Sequence, residues 1–406
     1  MEKVDNDKID LRYIMRCNVI YQKICKFLSN KKLYLVRLTY KNTDHILRII
    51  IKRTNKLPDF HPFLNLSNDK KIKFVKRGNV NNISVFSQDL HLLQNNVHYF
   101  EELKNIKSLY IDDDPALREV EELHIDEQFK RLTNIKDLIL SNRYIDVSNI
   151  LNIPNVSHLS ITACYTLNNF SNITKLKMLK TLTLQYMELN ADTMDVLGKC
   201  NTIINLQIYR CWPNPDSDKY NRIFDLPPNI ESLRCESSSM DPFYFNTPPI
   251  SIKIFVCTFD GSYKDVIDMT YDLKDNINLK ELQCDYVRYK NLPGSIKKLH
   301  ITYPKSYILN PNTIYDNMED LTLCGRNHDY PDINRFINLK FLKIMGSPTI
   351  NYTLTLTNIY IIYLTHYYES LNFMKNLPSL QHLYLDNCIS TTDDIRYFDN
   401  VIYKMC

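Results

Sequence analysis

One short pattern recurs along most of this chain and limits what it can fold into: an apolar residue, two variable residues, an apolar residue, one variable residue, then a third apolar residue. It occurs at Ile106 (Leu109, Ile111), Val120 (Leu123, Ile125), Ile135 (Leu138, Leu140), Val156 (Leu159, Ile161) and Leu179 (Leu182, Leu184). It continues at Ile203 (Leu206, Ile208), Ile230 (Leu233, Cys235), Ile252 (Phe255, Cys257), Leu279 (Leu282, Cys284) and Ile296 (Leu299, Ile301). Met318 (Leu321, Leu323), Leu339 (Leu342, Ile344), Ile359 (Ile362, Leu364) and Leu380 (Leu383, Leu385) complete the series. From Val156 onward the starts lie 17 to 27 residues apart. In a short strand the fourth and sixth positions share a face and the residue between them points the other way. One such unit cannot bury its apolar side, whereas stacked units bury a continuous core. The strands are then parallel neighbours, and the rest of each unit returns along the outside.

The chain's 406 residues agree with an array, because single compact cores rarely grow beyond ~250–300 residues. The pattern resembles the leucine-rich repeat, L-x-x-L-x-L-x-x-N/C-x-L, over roughly residues 103–390. Cys164, Cys211 and Cys388 occupy the N/C position, and Met187, Ser238 and Ser347 replace it elsewhere, which leaves its buried polar ladder incomplete. Several units open on proline, as in Leu226-Pro227-Pro228-Asn229-Ile230, Leu292-Pro293-Gly294-Ser295-Ile296 and Leu377-Pro378-Ser379-Leu380. Proline cannot donate a ladder hydrogen bond and suits the turn before a strand. Leu292 to Ile301 is similar to the FNIP subtype, found in repeat proteins of amoebae and of the giant DNA viruses that infect them. The resemblance implies an α/β leucine-rich-repeat solenoid with short parallel strands on a concave face, irregular or helical returns, and an α-helical N-terminal cap.

The units at Ile106, Val120 and Ile135 are spaced by only 14 and 15 residues. Either two abbreviated coils occur here or residues 115–124 form a helix inside one 29-residue unit, with Asp114-Pro115 as its start.

Charge divides the chain. Residues 1–81 hold 19 Lys+Arg against 7 Asp+Glu, and the remainder 31 against 39, which together give the net +4. We expect a basic helical head at 1–56, a degenerate transition at 57–102 with an early strand at Val80–Val85, and the solenoid at 103–406. In the head, Ile20, Ile24, Phe27 and Leu28 fall on one helical face, and Leu33, Val36 or Arg37, and Tyr40 suit a second helix. Two short helices of this kind resemble an F-box. That resemblance implies docking to a Skp-type adaptor of a cullin ubiquitin ligase through Ile20, Ile24, Phe27, Leu28, Leu33 and Leu35. The family's Leu-Pro opening is absent, and Leu11-Arg12-Tyr13-Ile14 stands in its place. The other reading is a cap over the apolar end of the array.

Glycine numbers 6, where ordinary usage of roughly 7% predicts about 28. Neither GxGxxG nor GxxxxGK[ST] occurs, nor do HExxH, CxxC or an EF-hand loop, so we expect no enzyme, no cofactor and no metal site. His124, His300 and His382 read as surface residues. Cys235, Cys257 and Cys284 take the sixth position of consecutive units and read as small buried hydrophobes rather than a thiol site. Eleven cysteines without a secretion signal point to free thiols in a reducing, cytoplasmic compartment, the host cytoplasm for a viral protein.

What remains is a surface. The residues between and just after the fourth and sixth positions line the concave sheet, and Tyr209, Arg234, Lys343, Tyr363 and Tyr384 have the chemistry that carries interface energy. The sequence therefore reads as a non-catalytic protein-interaction scaffold, with a substrate receptor of a ubiquitin ligase as its refinement. The alternative is nucleic-acid binding by the basic head through Arg12, Arg16, Lys23, Lys26, Lys31 and Lys32.

Overall fold

The structure is a computed structural model. It describes residues 82–86, 105–112, 123, 125–141, 144–213, 223–237, 244–259, 270–285, 288–302, 313, 315–325, 332–346, 350, 352–388 and 402–405. The head at 1–56, with Ile20, Ile24, Phe27, Leu28, Leu33 and Leu35, lies outside the described residues, as does the expected α-helical cap. The chain divides into two units, Met1–Val156 and Ser157–Cys406.

In the first unit, strands β1 (Asn82–Phe86), β2 (Ser108–Asp112) and β3 (Asp137–Ser141) pair in parallel. β2 meets β3 directly, Leu109 opposite Leu138 and Ile111 opposite Leu140. The Val120 triplet is therefore not a rung of the sheet. Leu123 makes only an isolated bridge to Ile145, and Asp126 caps a 3-10 turn at Glu127–Arg131 by accepting from the Gln128 N–H. Leu123 and Ile125 are nonetheless buried. The triplet reports burial in the return of one 29-residue unit; a helix at 115–124 lies outside the described residues.

The second unit stacks β4 (His158–Thr162), β5 (Thr181–Gln185), β6 (Asn205–Tyr209), β7 (Ser232–Ser237), β8 (Ile254–Phe259) and β9 (Glu281–Asp285). It continues through β10 (Lys298–Thr302), β11 (Asp320–Cys324), β12 (Phe341–Met345), β13 (Ile361–Thr365), β14 (His382–Asp386) and β15 (Ile402–Met405). Each strand pairs in parallel with the next, without a crossover. The unit is a parallel β-solenoid with little helix. Burial alternates as period two requires: in β5, Leu182 and Leu184 are buried while Thr181, Thr183 and Gln185 are half-buried. Each fully buried leucine contributes on the order of 1.5–3 kcal/mol relative to exposure.

Three repeated devices fix the register. Before many strands a turn closes on the first apolar residue, as in Ile230 N–H to Pro227 O and Ile252 N–H to Pro249 O. Proline fits there because only its carbonyl is needed. In several units the residue immediately ahead of the first apolar position is an asparagine whose amide reaches back one coil. Asn229 donates to Asn201 O, Asn278 to Ile250 O, Asn317 to Gly294 O, Asn338 to Asp316 O and Asn358 to Ile337 O. At the far end the backbone enters the left-handed region at Ala163, Tyr186, Arg210, His366 and Asn387. The N–H of that residue then bonds across to the next strand's last carbonyl, as in Tyr186 to Tyr209 O and His366 to Asp386 O.

The N/C position behaves as the repeat resemblance implies. The Cys211 thiol donates to Leu184 O and the Cys388 thiol to Leu364 O, one coil back. Burial pushes the Cys211 thiol up to about 12, with its hydrogen bonds to backbone opposing, so it acts as a neutral donor. Buried Met187 and Tyr367 fill the position elsewhere with apolar volume. The returns hold 3-10 turns such as Phe170–Lys175 and Leu371–Met374, and one longer helix, Ala191–Gly198, capped by Asn190.

Candidate functional site

Alternation leaves one sheet face packed on the core and the other open, and the open face of β4–β14 is the candidate site. Each strand contributes three residues to it: the two positions read from the sequence, and the residue just before the fourth position. Period two carried that third column as well, and it supplies Glu281, Asp320, Phe341, Ile361 and His382. Sequence reasoning missed it because only the positions between and just after the fourth and sixth were read as outward-facing.

The five expected residues fall into two groups. Tyr209 on β6 and Arg234 on β7 form the first. Burial raises the Tyr209 phenol above its ordinary value and Glu236 adds to this, while Arg234 pulls it back. Arg234 Nη2 also reaches Glu281 Oε1 at 3.1 Å, spanning from β7 to β9. This pair lies across the position of Val256 on the intervening strand, which is only 2% exposed although it points to the open side. Arg234 is thus committed to holding three strands and covering an apolar patch.

Lys343, Tyr363 and Tyr384 form the second group, five strand spacings from Arg234, roughly 24 Å. They occupy the same register position on β12, β13 and β14. The Tyr363 and Tyr384 rings stack at 5.0 Å and 16°, and Lys343 Nζ lies 5.4 Å from the Tyr363 centroid. His382 extends the row, its ring 6.3 Å from that of Tyr384. A cation followed by three stacked rings makes a rigid strip, with little side-chain entropy left to lose on binding.

Between the groups, Cys324 Sγ lies 3.4 Å from His300 Nε2 and 3.4 Å from Met345 Sδ. His300, expected as a surface residue, is half-buried there. Cys235, Cys257 and Cys284 are aligned across β7–β9 on the core side and buried. The hydrogen bond between Cys235 and Cys257, together with burial, raises the Cys235 thiol well above its usual value.

Among the described residues, no three His, Cys, Asp or Glu side chains gather to hold a metal, and no helix is long and apolar enough to cross a membrane. A pocket of about 150 Å³ lined by Lys274, Asn291, Pro293, Gly294 and Thr313 sits at the turn leading into β10. It is smaller than the roughly 300–1,000 Å³ of small-molecule sites.

No protein-family model matches the sequence, and no curated protein matches it. Solved structures with a similar fold are leucine-rich-repeat proteins. A leucine-rich-repeat protein of Leptospira interrogans is 14% identical, with a TM-score of 0.43, covering 90% of this chain and 99% of that one. An internalin of Listeria monocytogenes is 13% identical, with a TM-score of 0.36, covering 88% of each. The plant peptide hormone receptor RGFR1, solved with RGF2, is 12% identical, with a TM-score of 0.40 over 82% of this chain. The chain spans 60% of that receptor's length.

Proposed function

We propose that the protein is a non-catalytic scaffold that binds a partner protein on the open face of its second unit, centred on β12–β14. The observation that carries this reading is the in-register row Lys343, Tyr363 and Tyr384, with the His382 ring stacked beside it on β14. Tyrosine and cations on a rigid sheet supply contact area at low ordering cost, and tyrosine leads the residues that dominate interface energy. A broad, solvent-facing sheet surface of this kind favours a macromolecule over a metabolite.

The test is affinity capture with the full chain, wild type against the Tyr363→Ala/Tyr384→Ala double variant. Loss of about 2 kcal/mol or more, some thirtyfold in Kd, is expected for residues of this class. Equal capture by the two proteins would remove the proposed centre.

The refinement to a ubiquitin-ligase substrate receptor rests on the helical pattern of Ile20, Ile24, Phe27, Leu28, Leu33 and Leu35. A Skp-type adaptor should co-purify with the full chain and be lost on substituting Phe27 and Leu28 by Ala. A reducing, cytoplasmic setting, as the cysteine usage suggests, would keep the hydrogen-bonded Cys235 and Cys257 thiols reduced. The FNIP-like run at Leu292–Ile301 is what supports an amoebal or giant-virus source.

A further inference from the structure

Three polar or sulfur side chains from successive strands converge on the open face: His300 from β10, Cys324 from β11 and Met345 from β12. Cys324 and Met345 are direct register partners, and Cys324 pairs with Thr302, two residues beyond His300. The central sulfur sits 3.4 Å from each flanking donor atom. We propose that His300 Nε2, Cys324 Sγ and Met345 Sδ form a binding site for a soft monovalent metal ion, Cu(I).

The geometry suits a shared ion. With metal–sulfur and metal–nitrogen bonds of about 2.3 and 2.0 Å, separations of 3.4 Å close angles of roughly 95–105° at the metal. The donor set chooses the metal: a thioether beside a thiolate and an imidazole is the combination that selects Cu(I), while Mg²⁺ and Ca²⁺ require oxygen ligands.

The surroundings fit as well. The sulfur residues each precede a glycine, two of only six in the chain. Gly346 has φ +104°, and a Cβ there would lie 2.2 Å from Gly325 O. The two turns are therefore stacked closely, and the Gly325 N–H bonds to Met345 O at 2.8 Å. That fixes the backbone under both sulfurs. The nearby cation, Lys343, is drawn over the Tyr363 ring. On binding, the Cys324 S–H bond breaks, its proton passes to solvent, and the sulfur lone pair forms the bond to Cu⁺, with no change of oxidation state.

The experiment is anaerobic titration of the full chain with Cu(I) against a competing chelator, bathocuproine disulfonate. X-ray absorption is then read on the 1:1 product. Wild type is expected to withdraw one equivalent into a site with one nitrogen and two sulfur neighbours. Cys324→Ser should lose that equivalent, and Met345→Leu and His300→Gln should each weaken it at least tenfold. Met345→Leu conserves volume, so an unchanged melting temperature separates lost ligation from lost folding. Identical competition by wild type and all three variants would overturn the proposal. So would loss in Cys324→Ser alone, which would mean capture by a single thiol.

Discussion

The asparagine that reaches back one coil offers a sharp test of how the stack is held. Asn276 is 3% exposed, and its amide donates to Pro248 O at 2.9 Å and Pro249 O at 3.1 Å. Pro249 O keeps a second donor, the Ile252 N–H, so the cost of losing the amide concentrates on Pro248 O. Replacing Asn276 by Leu keeps the volume but leaves that carbonyl buried without its donor. An unsatisfied buried acceptor costs about 1–3 kcal/mol and the second bond adds about 1, for a total of roughly 2–4 kcal/mol. For a unit of this size each kcal/mol shifts Tm by about 2–4 °C, so a fall of about 4–16 °C is expected. Asn278 is the control. It makes the same kind of bond, to Ile250 O at 3.1 Å, but in an exposed setting where water can replace it. Asn278→Leu should cost under about 1 kcal/mol. Thermal unfolding of both variants followed by circular dichroism decides the matter. Equal shifts, or no shift in Asn276→Leu, would refute the claim that buried asparagines clamp adjacent coils.

Gly346→Ala should destabilise by about 3 kcal/mol or more, because the backbone must leave φ +104° and move off Gly325 O; a melting curve checks it. The half-buried Asp320 carboxyl is raised by desolvation, with Lys298 and His300 opposing and Glu281 adding to the rise. Its folded pKa thus exceeds the unfolded one, so its charged form costs stability fully above the folded pKa and not at all below the unfolded value of about 3.9. Asp320→Asn should raise Tm at pH 7, and the gain should vanish near pH 3. Arg234→Met should cost at most about 1 kcal/mol in Tm, since the half-exposed pair with Glu281 is worth about 0–1 kcal/mol. Thiol labelling read by peptide mapping should modify Cys324 before Cys235, Cys257 and Cys284, which stay protected until the chain unfolds.

The solenoid was legible because its apolar triplets are a direct record of alternation. Leu182, Leu206 and Leu233 could be placed side by side from spacing alone, and the structure puts them in register. The Val120 triplet misled for a physical reason: Leu123 and Ile125 are buried as a rung's would be, but they lie in a return, and burial alone does not specify pairing. The row at Lys343, Tyr363 and Tyr384 was readable because register carries side-chain identity across strands. The commitment of Arg234 was not, since Glu281 lies 47 residues away and belongs to a column left unread. The asparagines before several strands were visible in the sequence, but their role depends on carbonyls one coil back that spacing alone does not bring within reach. Met345 was overlooked as a ligand because only its neighbours on adjoining strands give the thioether a chemical role.

The central claim is that the open face around β12–β14 grips another protein, and site-specific photo-crosslinking tests it most directly. A benzophenone side chain placed at Lys343, on the open face, should yield a discrete covalent adduct with the captured partner. The same group at Lys375, in the return before β14, should yield none. Adducts formed from position 375 and absent from 343 would contradict the account.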